Sequence, residues 1–180
     1  MIIAIVGPIG SGKTLSMTRY AYKEYIKFKE QIANNELQLI TNYHLINIPH
    51  KIIKTNELFE MKETLRNARL FIDEMHIFMD SRSSQNKTVK KLTQFILQTR
   101  HLGVHLYFTS QDIGQVDIRL RRQIDMLVYC TQTKYDGWFK QRIIDYRDVM
   151  DIQSNEIVFN GKPYYGLYDT LELVDITDSN

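Results

Sequence analysis

The sequence predicts a three-layer α/β fold with a mostly parallel central sheet and a C-terminal β-hairpin extension. Three observations predict it. An apolar run, Ile2 to Val6, leads directly into Gly7-Pro-Ile-Gly-Ser-Gly-Lys-Thr14. Short apolar stretches of strand length then alternate with segments of helical spacing as far as Cys130, the order that crossover connections between parallel strands produce. Beyond Cys130 the chain turns aromatic and strand-prone, and an Asn160-Gly161 pair gives a two-residue hairpin signal.

The first strand feeds a phosphate-binding loop. Gly7, four residues, Gly12, Lys13 and Thr14 fit G-x-x-x-x-G-K-[ST], with a strand before and a helix after as the motif demands. Gly10 and Gly12 carry no Cβ, so the backbone can curl into a nest of N–H groups aimed at phosphate oxygens. Lys13 supplies a mobile positive charge for the β and γ phosphates, and the Thr14 hydroxyl can enter the coordination shell of Mg²⁺. The helix that starts there adds its positive dipole end. The expected nucleotide contacts are Gly7, Pro8, Ile9, Gly10, Ser11, Gly12, Lys13, Thr14 and Leu15.

Met17, Ala21, Tyr25, Phe28 and Ile32 recur every three or four residues and predict one helix, ended by Asn34-Asn35. Leu37 to Thr41 reads as a strand, followed by an irregular region around His44, Pro49 and His50. A short helix is expected from Asn56 to Asn67, and a buried strand at Leu70-Phe-Ile72. Asp80 to Lys87 reads as an exposed polar loop, after which Val89, Leu92 and Ile96 resume helical spacing. Val104 to Thr109 and Met126 to Cys130 are two more strands. Trp138 to Tyr146 and Ile157-Val-Phe159 are strand-prone, with Pro163 suited to an edge position. One domain over 1–180 is expected, with a core of about 1–135 and a β-rich extension of about 136–180.

Composition narrows the class. With 43% hydrophobic and 24% charged residues the chain has the make-up of an ordinary soluble protein, and no apolar segment approaches the roughly 20 residues that cross a bilayer. A cytoplasmic setting is expected, and a lone cysteine, Cys130, excludes an internal disulfide. The Asn86-Lys-Thr88 sequon then has no meaning. The net charge of +2 is far below that of a protein that coats nucleic acid, so any contact with DNA must be local or multiplied by oligomerisation. His76 and His101 lack partners at ligand spacing, which argues against zinc.

The second chemical signal is Leu70-Phe-Ile-Asp73-Glu74, sixty residues beyond Lys13. It resembles a Walker B element, with Asp73 at a strand end as Mg²⁺ ligand and Glu74 placed to polarise an attacking water. A kinase acting on a small hydroxyl acceptor has no need of that second acid, so the pair favours hydrolysis coupled to motion or assembly.

The ordered set Gly-Pro-Ile-Gly-Ser-Gly-Lys-Thr, Thr41-Asn42, Phe-Ile-Asp-Glu, Thr99-Arg-His-Leu-Gly103 and Phe108-Thr-Ser-Gln111 resembles the FtsK/HerA superfamily of DNA-pumping ATPases, a RecA-like (ASCE) P-loop group. Within it, the chain as far as about Cys130 is most similar to the zonula-occludens-toxin-like (Zot) ATPases of filamentous phages and to viral genome-packaging ATPases. The resemblance implies ATP and Mg²⁺ as cofactors, Gln111 as a polar sensor of the γ phosphate, and Arg100 as an arginine finger inserted into a neighbour's site. It also implies a homo-oligomeric ring of six subunits that moves double-stranded DNA without reading sequence, with viral capsid or assembly proteins as further partners and a place in the host cytoplasm or on the virion. Arg82, Lys87, Lys90 and Lys91 are then the candidate DNA contacts. Zot-type proteins usually carry a transmembrane segment after the ATPase domain; these 180 residues contain none, as is usual in viral packaging enzymes.

Plain alternatives stand beside these roles. Gln111 could cap a turn beginning at Asp112, Arg100 could sit at a helix C-terminus where a cation suits the dipole, and Arg119, Arg121 and Arg122 are rival fingers. The basic cluster could be a solvated helix face. Two other functions remain: a morphogenesis or export ATPase acting on coat protein or a membrane complex, and a nucleotide switch with little turnover.

Overall fold

Ile2–Val6 forms strand β1, buried at all five positions, as a strand covered on both faces of a parallel sheet must be. The computed structural model describes residues 1–54, 57, 65–77, 100–147 and 152–169. Within them, one open sheet contains β2 (Gln38–Thr41), β3 (Lys51–Ile52), β4 (Ala68–Ile72), β5 (His105–Ser110), β6 (Met126–Gln132), β7 (Trp138–Asp145) and β8 (Gln153–Asn160). Their order is β3-β2-β4-β5-β1-β6-β7-β8. The pairs from β3 through to β6 are parallel, and β7 and β8 add antiparallel. The order places β5 between β1 and β4, so the strand that feeds the phosphate loop and the strand that ends in Asp73 are not neighbours.

Side chains alternate across this sheet with period two and divide the core. Ile2, Ala4 and Val6 join Leu70, Ile72, Leu106, Phe108, Val116 and Leu120 on one face. Ile3 and Ile5 join Phe71, Tyr107 and Val128 on the other, under helix α1 (Lys13–Lys27), which contributes Met17 and Ala21. Two packed faces around a mostly parallel sheet are the three-layer α/β fold expected.

The helix expected from Met17 to Ile32 is divided. It stops at Phe28, which leaves helical dihedrals at φ −117°, and resumes as α2 (Lys29–Ala33). The Phe28 ring there lies under the Lys27 ammonium and the Arg69 guanidinium, at 5.0 and 5.1 Å. Ile32 still reaches the core, which is why the spacing carries across the break. β3 lies within the region read as irregular. Of the helix expected over Asn56 to Asn67, residues 65–67 are not helical and all the rest but Glu57 lies outside the described residues. The loop Asp80 to Lys87 and the spacing through Val89, Leu92 and Ile96 also lie outside them.

The C-terminal hairpin is β7–β8, and Asn160-Gly161 is not its turn. After Asn160 the chain enters a 3₁₀ segment, Lys162–Leu167, with Pro163 in its first turn, not on a strand edge. Gly161 has φ −81°, so the residue is not there for a left-handed turn. A Cβ on it would lie 2.7 Å from both Leu15 and the Phe139 ring, so close packing of β8 on α1 explains the glycine. The 3₁₀ segment crosses the outer face of α1. Tyr164 meets Tyr22 edge-on at 6.0 Å, Tyr168 meets Tyr43 at 6.5 Å, and Ile46 N–H donates to the Leu167 carbonyl at 2.8 Å. No helix among the described residues is long and apolar enough to cross a membrane.

A semi-buried polar network ties α1 to the sheet. Arg69 Nε on β4 donates to Glu24 Oε2 at 2.6 Å, and Tyr107 on β5 donates to Glu24 Oε1 at 3.1 Å. Replacing Glu24 by Ala leaves Arg69 buried with only two carbonyls at 3.4 Å and the Phe28 ring. A loss of about 2–3 kcal/mol is expected, at or just below the low end for breaking a buried pair because the Glu24 side chain keeps some contact with water. In a chain of this size a thermal melt should show it as a drop of roughly 4–12 °C.

Beside this network, half-buried His105 has its imidazole pushed down to about 4 from the ordinary 6.5, first by burial and then by the Arg69 guanidinium. As pH falls below 6.5 the unfolded chain takes up this proton and the folded one does not, so stability present above pH 6.5 is lost toward pH 4. Denaturant titrations of His105→Gln across that window should show a shallower loss than the parent; an equal slope in both proteins would exclude His105 as the cause.

Candidate active site

The loop after β1 is shaped by what surrounds it. Val6 lies opposite Ser110 on β5 and Tyr129 on β6, so the next residue enters a crowded groove. A Cβ on Gly7 would lie 2.5 Å from the Cys130 carbonyl oxygen, which excludes a side chain there. Gly12, which caps α1 just before Lys13, has φ 82°, and a Cβ on it would lie 2.5 Å from the Phe139 ring. The first turn of α1 has no side-chain cap and no acidic residue, so its leading N–H groups and positive dipole end face an adjoining cavity. Lys13 is buried and its Nζ donates to the Pro8 carbonyl at 3.1 Å.

That cavity, of about 560 Å³, is lined by Ile9, Gly10, Gly12, Lys13, Thr14, Leu15, Glu74, Phe139, Tyr165 and Tyr168. It is large enough for a nucleotide-sized ligand. The expected contacts Gly7, Pro8 and Ser11 shape the loop without lining the cavity.

Asp73 follows β4 directly and is buried. Continuing the β4–β5 register, in which Ile72 lies opposite Phe108, sets Asp73 beside Thr109. Thr109 Oγ1 donates to Asp73 Oδ1 at 2.5 Å, and Thr14 Oγ1 donates to Asp73 Oδ2 at 2.9 Å. Asn42, just past β2, holds the main chain: Asp73 N–H donates to Asn42 Oδ1 at 2.7 Å and Asn42 Nδ2 donates to the Asp73 carbonyl at 3.0 Å. Burial pushes the Asp73 carboxyl above its ordinary range, while the Thr109 and Thr14 hydroxyls, the Glu74 N–H and the Lys13 charge pull it down.

Glu74 sits at φ 54°, a left-handed conformation that costs a non-glycine residue about 1–2 kcal/mol. Its N–H donates to Thr109 Oγ1 at 2.8 Å, and its side chain lines the cavity. Thr109 thus holds the carboxylate of Asp73 and the backbone N–H of Glu74 through one hydroxyl.

Gln111 follows β5 on the same edge of the sheet, exposed and outside the cavity lining. The turn that it could have capped is capped by Asp112, whose Oδ1 accepts from Gly114 N–H at 2.6 Å. Arg100 lies in the turn Arg100–Leu102 before β5. It is therefore at the opposite sheet edge from the phosphate loop, about 20 Å away along six strand residues. Among its rivals, Arg119 is paired with the buried Asp117 at 3.0 Å. Arg82, Lys87, Lys90 and Lys91 lie outside the described residues.

Sequence reasoning missed Thr109, the role of Asn42 and the aromatic wall. The polar ending Thr-Ser-Gln after Leu106-Tyr-Phe108 was a usable signal for Thr109. Nothing local marks Phe139, Tyr165 or Tyr168.

The residues fit a nucleoside triphosphate with Mg²⁺. The uncapped first turn of α1, the glycines Gly10 and Gly12 and the Lys13 side chain meet at one cavity, which suits a phosphate cradle. Thr14 and Asp73 offer two hard oxygens at one point, and Mg²⁺ is held by one or two such ligands together with substrate phosphates. Among the described residues no three His, Cys, Asp or Glu side chains converge as a self-contained metal site.

A phosphate loop, an acid-ending strand and an extra strand between them define a P-loop NTPase of the class with a strand inserted between those two. Within that class, the chain belongs to the zonular occludens toxin (Zot) family, whose model matches residues 1–155. No curated protein sequence matches the chain. Among solved structures it is similar to the N-terminal domain of zonular occludens toxin from Neisseria meningitidis, at TM-score 0.64 and 21% identity over 93% of this chain and 98% of that one. It is also similar to B204, the DNA-packaging ATPase of Sulfolobus turreted icosahedral virus, at TM-score 0.55 and 15% identity over 86% of this chain and 96% of that one. Both likenesses establish the shared fold.

Thr109→Val keeps the shape and removes the hydroxyl, leaving Asp73 Oδ1 and the Glu74 N–H without this partner. Each such loss costs about 1–3 kcal/mol where the group is buried. The variant should melt lower and lose hydrolysis more than about tenfold, a shift of some 1.4 kcal/mol, while binding of a non-hydrolysable nucleotide changes little. Equal losses in binding and turnover would show that Thr109 does no more than support the fold.

Proposed function

We propose that the protein is a Mg²⁺-dependent ATPase that powers phage morphogenesis, acting on coat protein or a membrane export complex. The observation that carries hydrolysis is the hydrogen-bonded set Thr14–Asp73–Thr109, with Glu74 facing the same cavity as the phosphate loop. The Zot family match supports the assembly role. Lys13 and the N–H groups of Gly10 to Leu15 bind the phosphates, and Lys13 exchanges its bond to the Pro8 carbonyl for the β and γ oxygens. Thr14 and Asp73 hold Mg²⁺, which when bound neutralises charge on the β and γ phosphates. Glu74 takes the proton from the water that attacks the γ phosphorus, and the bond to the bridging oxygen of ADP breaks.

Gln111 contacts the γ phosphate or that water. Arg100, at the far sheet edge, serves a neighbouring subunit in a ring of six, where an arginine finger can raise the rate by orders of magnitude. The likeness of fold to B204, a DNA-packaging ATPase, favours a second reading, in which the ring translocates double-stranded DNA through contacts at Arg82, Lys87, Lys90 and Lys91.

ATP hydrolysis measured against protein concentration, with and without double-stranded DNA, tests both. The expected specific activity rises with concentration, is lost in Glu74→Gln, which still binds ATP, and is restored when Arg100→Ala subunits are mixed with Glu74→Gln subunits. Indifference to DNA supports coat protein or an export complex as the substrate; strong stimulation by DNA replaces that reading with translocation. A Glu74→Gln variant that hydrolyses at the parent rate refutes the assigned base.

A further inference from the structure

The cavity does not end at the phosphate loop. Its lining also takes in Phe139 on β7, whose ring lies against Gly12, and Tyr165 and Tyr168 on the segment after β8. The three aromatics differ in what they do for the fold. Phe139 is buried in a cluster with Leu15 and Phe159, and Tyr168 packs on Tyr43. Tyr164 is likewise engaged, with Tyr22 and Phe159. Tyr165 is 44% exposed and lines the cavity, although its chain neighbours are anchored. A large ring held on an anchored segment and open to a cavity that the phosphate loop also lines has the chemistry of a stacking platform.

We propose that Phe139, Tyr165 and Tyr168 form the nucleobase subsite of this pocket, with Tyr165 supplying the face on which the base stacks. The proposal rests on the reading that the cavity binds a nucleoside triphosphate and adds the part of the ligand that no loop motif addresses. Among the described residues that line the cavity none is an amide, and the carboxylate there, Glu74, belongs to the acid pair after β4. The rings in that lining grip the base by its faces. The segment that carries Tyr165 also joins the hairpin to the loop after β2, through the Ile46–Leu167 and Leu45–Tyr168 pairs. The segment is thus a strap across α1, tied by Tyr164 on one side of Tyr165 and by Tyr168 on the other.

The test uses calorimetric titration of the full chain with two probes in the presence of Mg²⁺: a non-hydrolysable ATP analogue, and inorganic tripolyphosphate, which has phosphates and no base. In the parent protein the analogue should bind at least about tenfold more tightly than tripolyphosphate, given that aromatic stacking of one base contributes a factor of roughly 5 to 150. Tyr165→Ala should remove most of that advantage and leave tripolyphosphate binding unchanged, and Tyr165→Trp should retain it. The exposure of Tyr165 lets the alanine variant fold, which a thermal melt checks. Parent-like analogue binding by Tyr165→Ala overturns the subsite. So does an equal loss of both probes, which would make Tyr165 a support for the phosphate loop. If neither probe binds the parent, the nucleotide reading fails and the subsite with it.

Discussion

The rest of the site depends on keeping one carboxylate, that of Asp73, out of water. A buried carboxylate is tolerated only where donors converge on it. Here the donors come from different parts of the chain: Thr14 from the first turn of α1 and Thr109 from β5, while Asn42, after β2, fixes the backbone. That convergence requires β4 and β5 to run parallel side by side and β1 to deliver α1 to the same edge. The strand order is thus the condition for the charge, and the charge is what makes the edge chemically useful. Its raised pKa reflects burial that its hydrogen bonds only partly offset.

A second constraint comes from the C-terminal third. Phe139 sits so close to Gly12 and Gly161 that neither position admits a Cβ. Arg19 lies over the Phe159 ring at 4.5 Å, and Leu15 packs with Phe139 and Phe159. The hairpin therefore braces the helix whose N-terminus faces the cavity. The segment after it crosses α1 and closes the cavity with two tyrosines, so the β-rich extension is part of the site as well as of the sheet.

The left-handed backbone of Glu74 fits the same pattern. A non-glycine residue adopts φ 54° where surrounding bonds over-determine it, and the Glu74 N–H bond to Thr109 is one of them. Thr109 links the Asp73 carboxylate to the Glu74 N–H through a single oxygen, which couples their positions more tightly than either strand end could alone.

By itself the sequence determined what short spacing can encode. The duties of Gly7 to Thr14 lie within eight consecutive residues, so the phosphate loop was legible without any partner. Asp73 and Glu74 were legible as the polar end of a buried strand, and the alternation of strand and helix was enough for the three-layer class. Tertiary structure decided everything that depends on register between distant segments. Only strand pairing reveals that β5 lies between β1 and β4, which makes Thr109 a partner of Asp73 thirty-six residues away. Asn160-Gly161 reads locally as a hairpin turn, yet packing against Leu15 and Phe139 explains the glycine better than turn geometry does, and the true hairpin joins β7 to β8. The aromatic wall was invisible for the same reason. A tyrosine in a strap has no local mark that separates a core residue from a ligand surface, because that difference is made by which other segments leave one of its faces open.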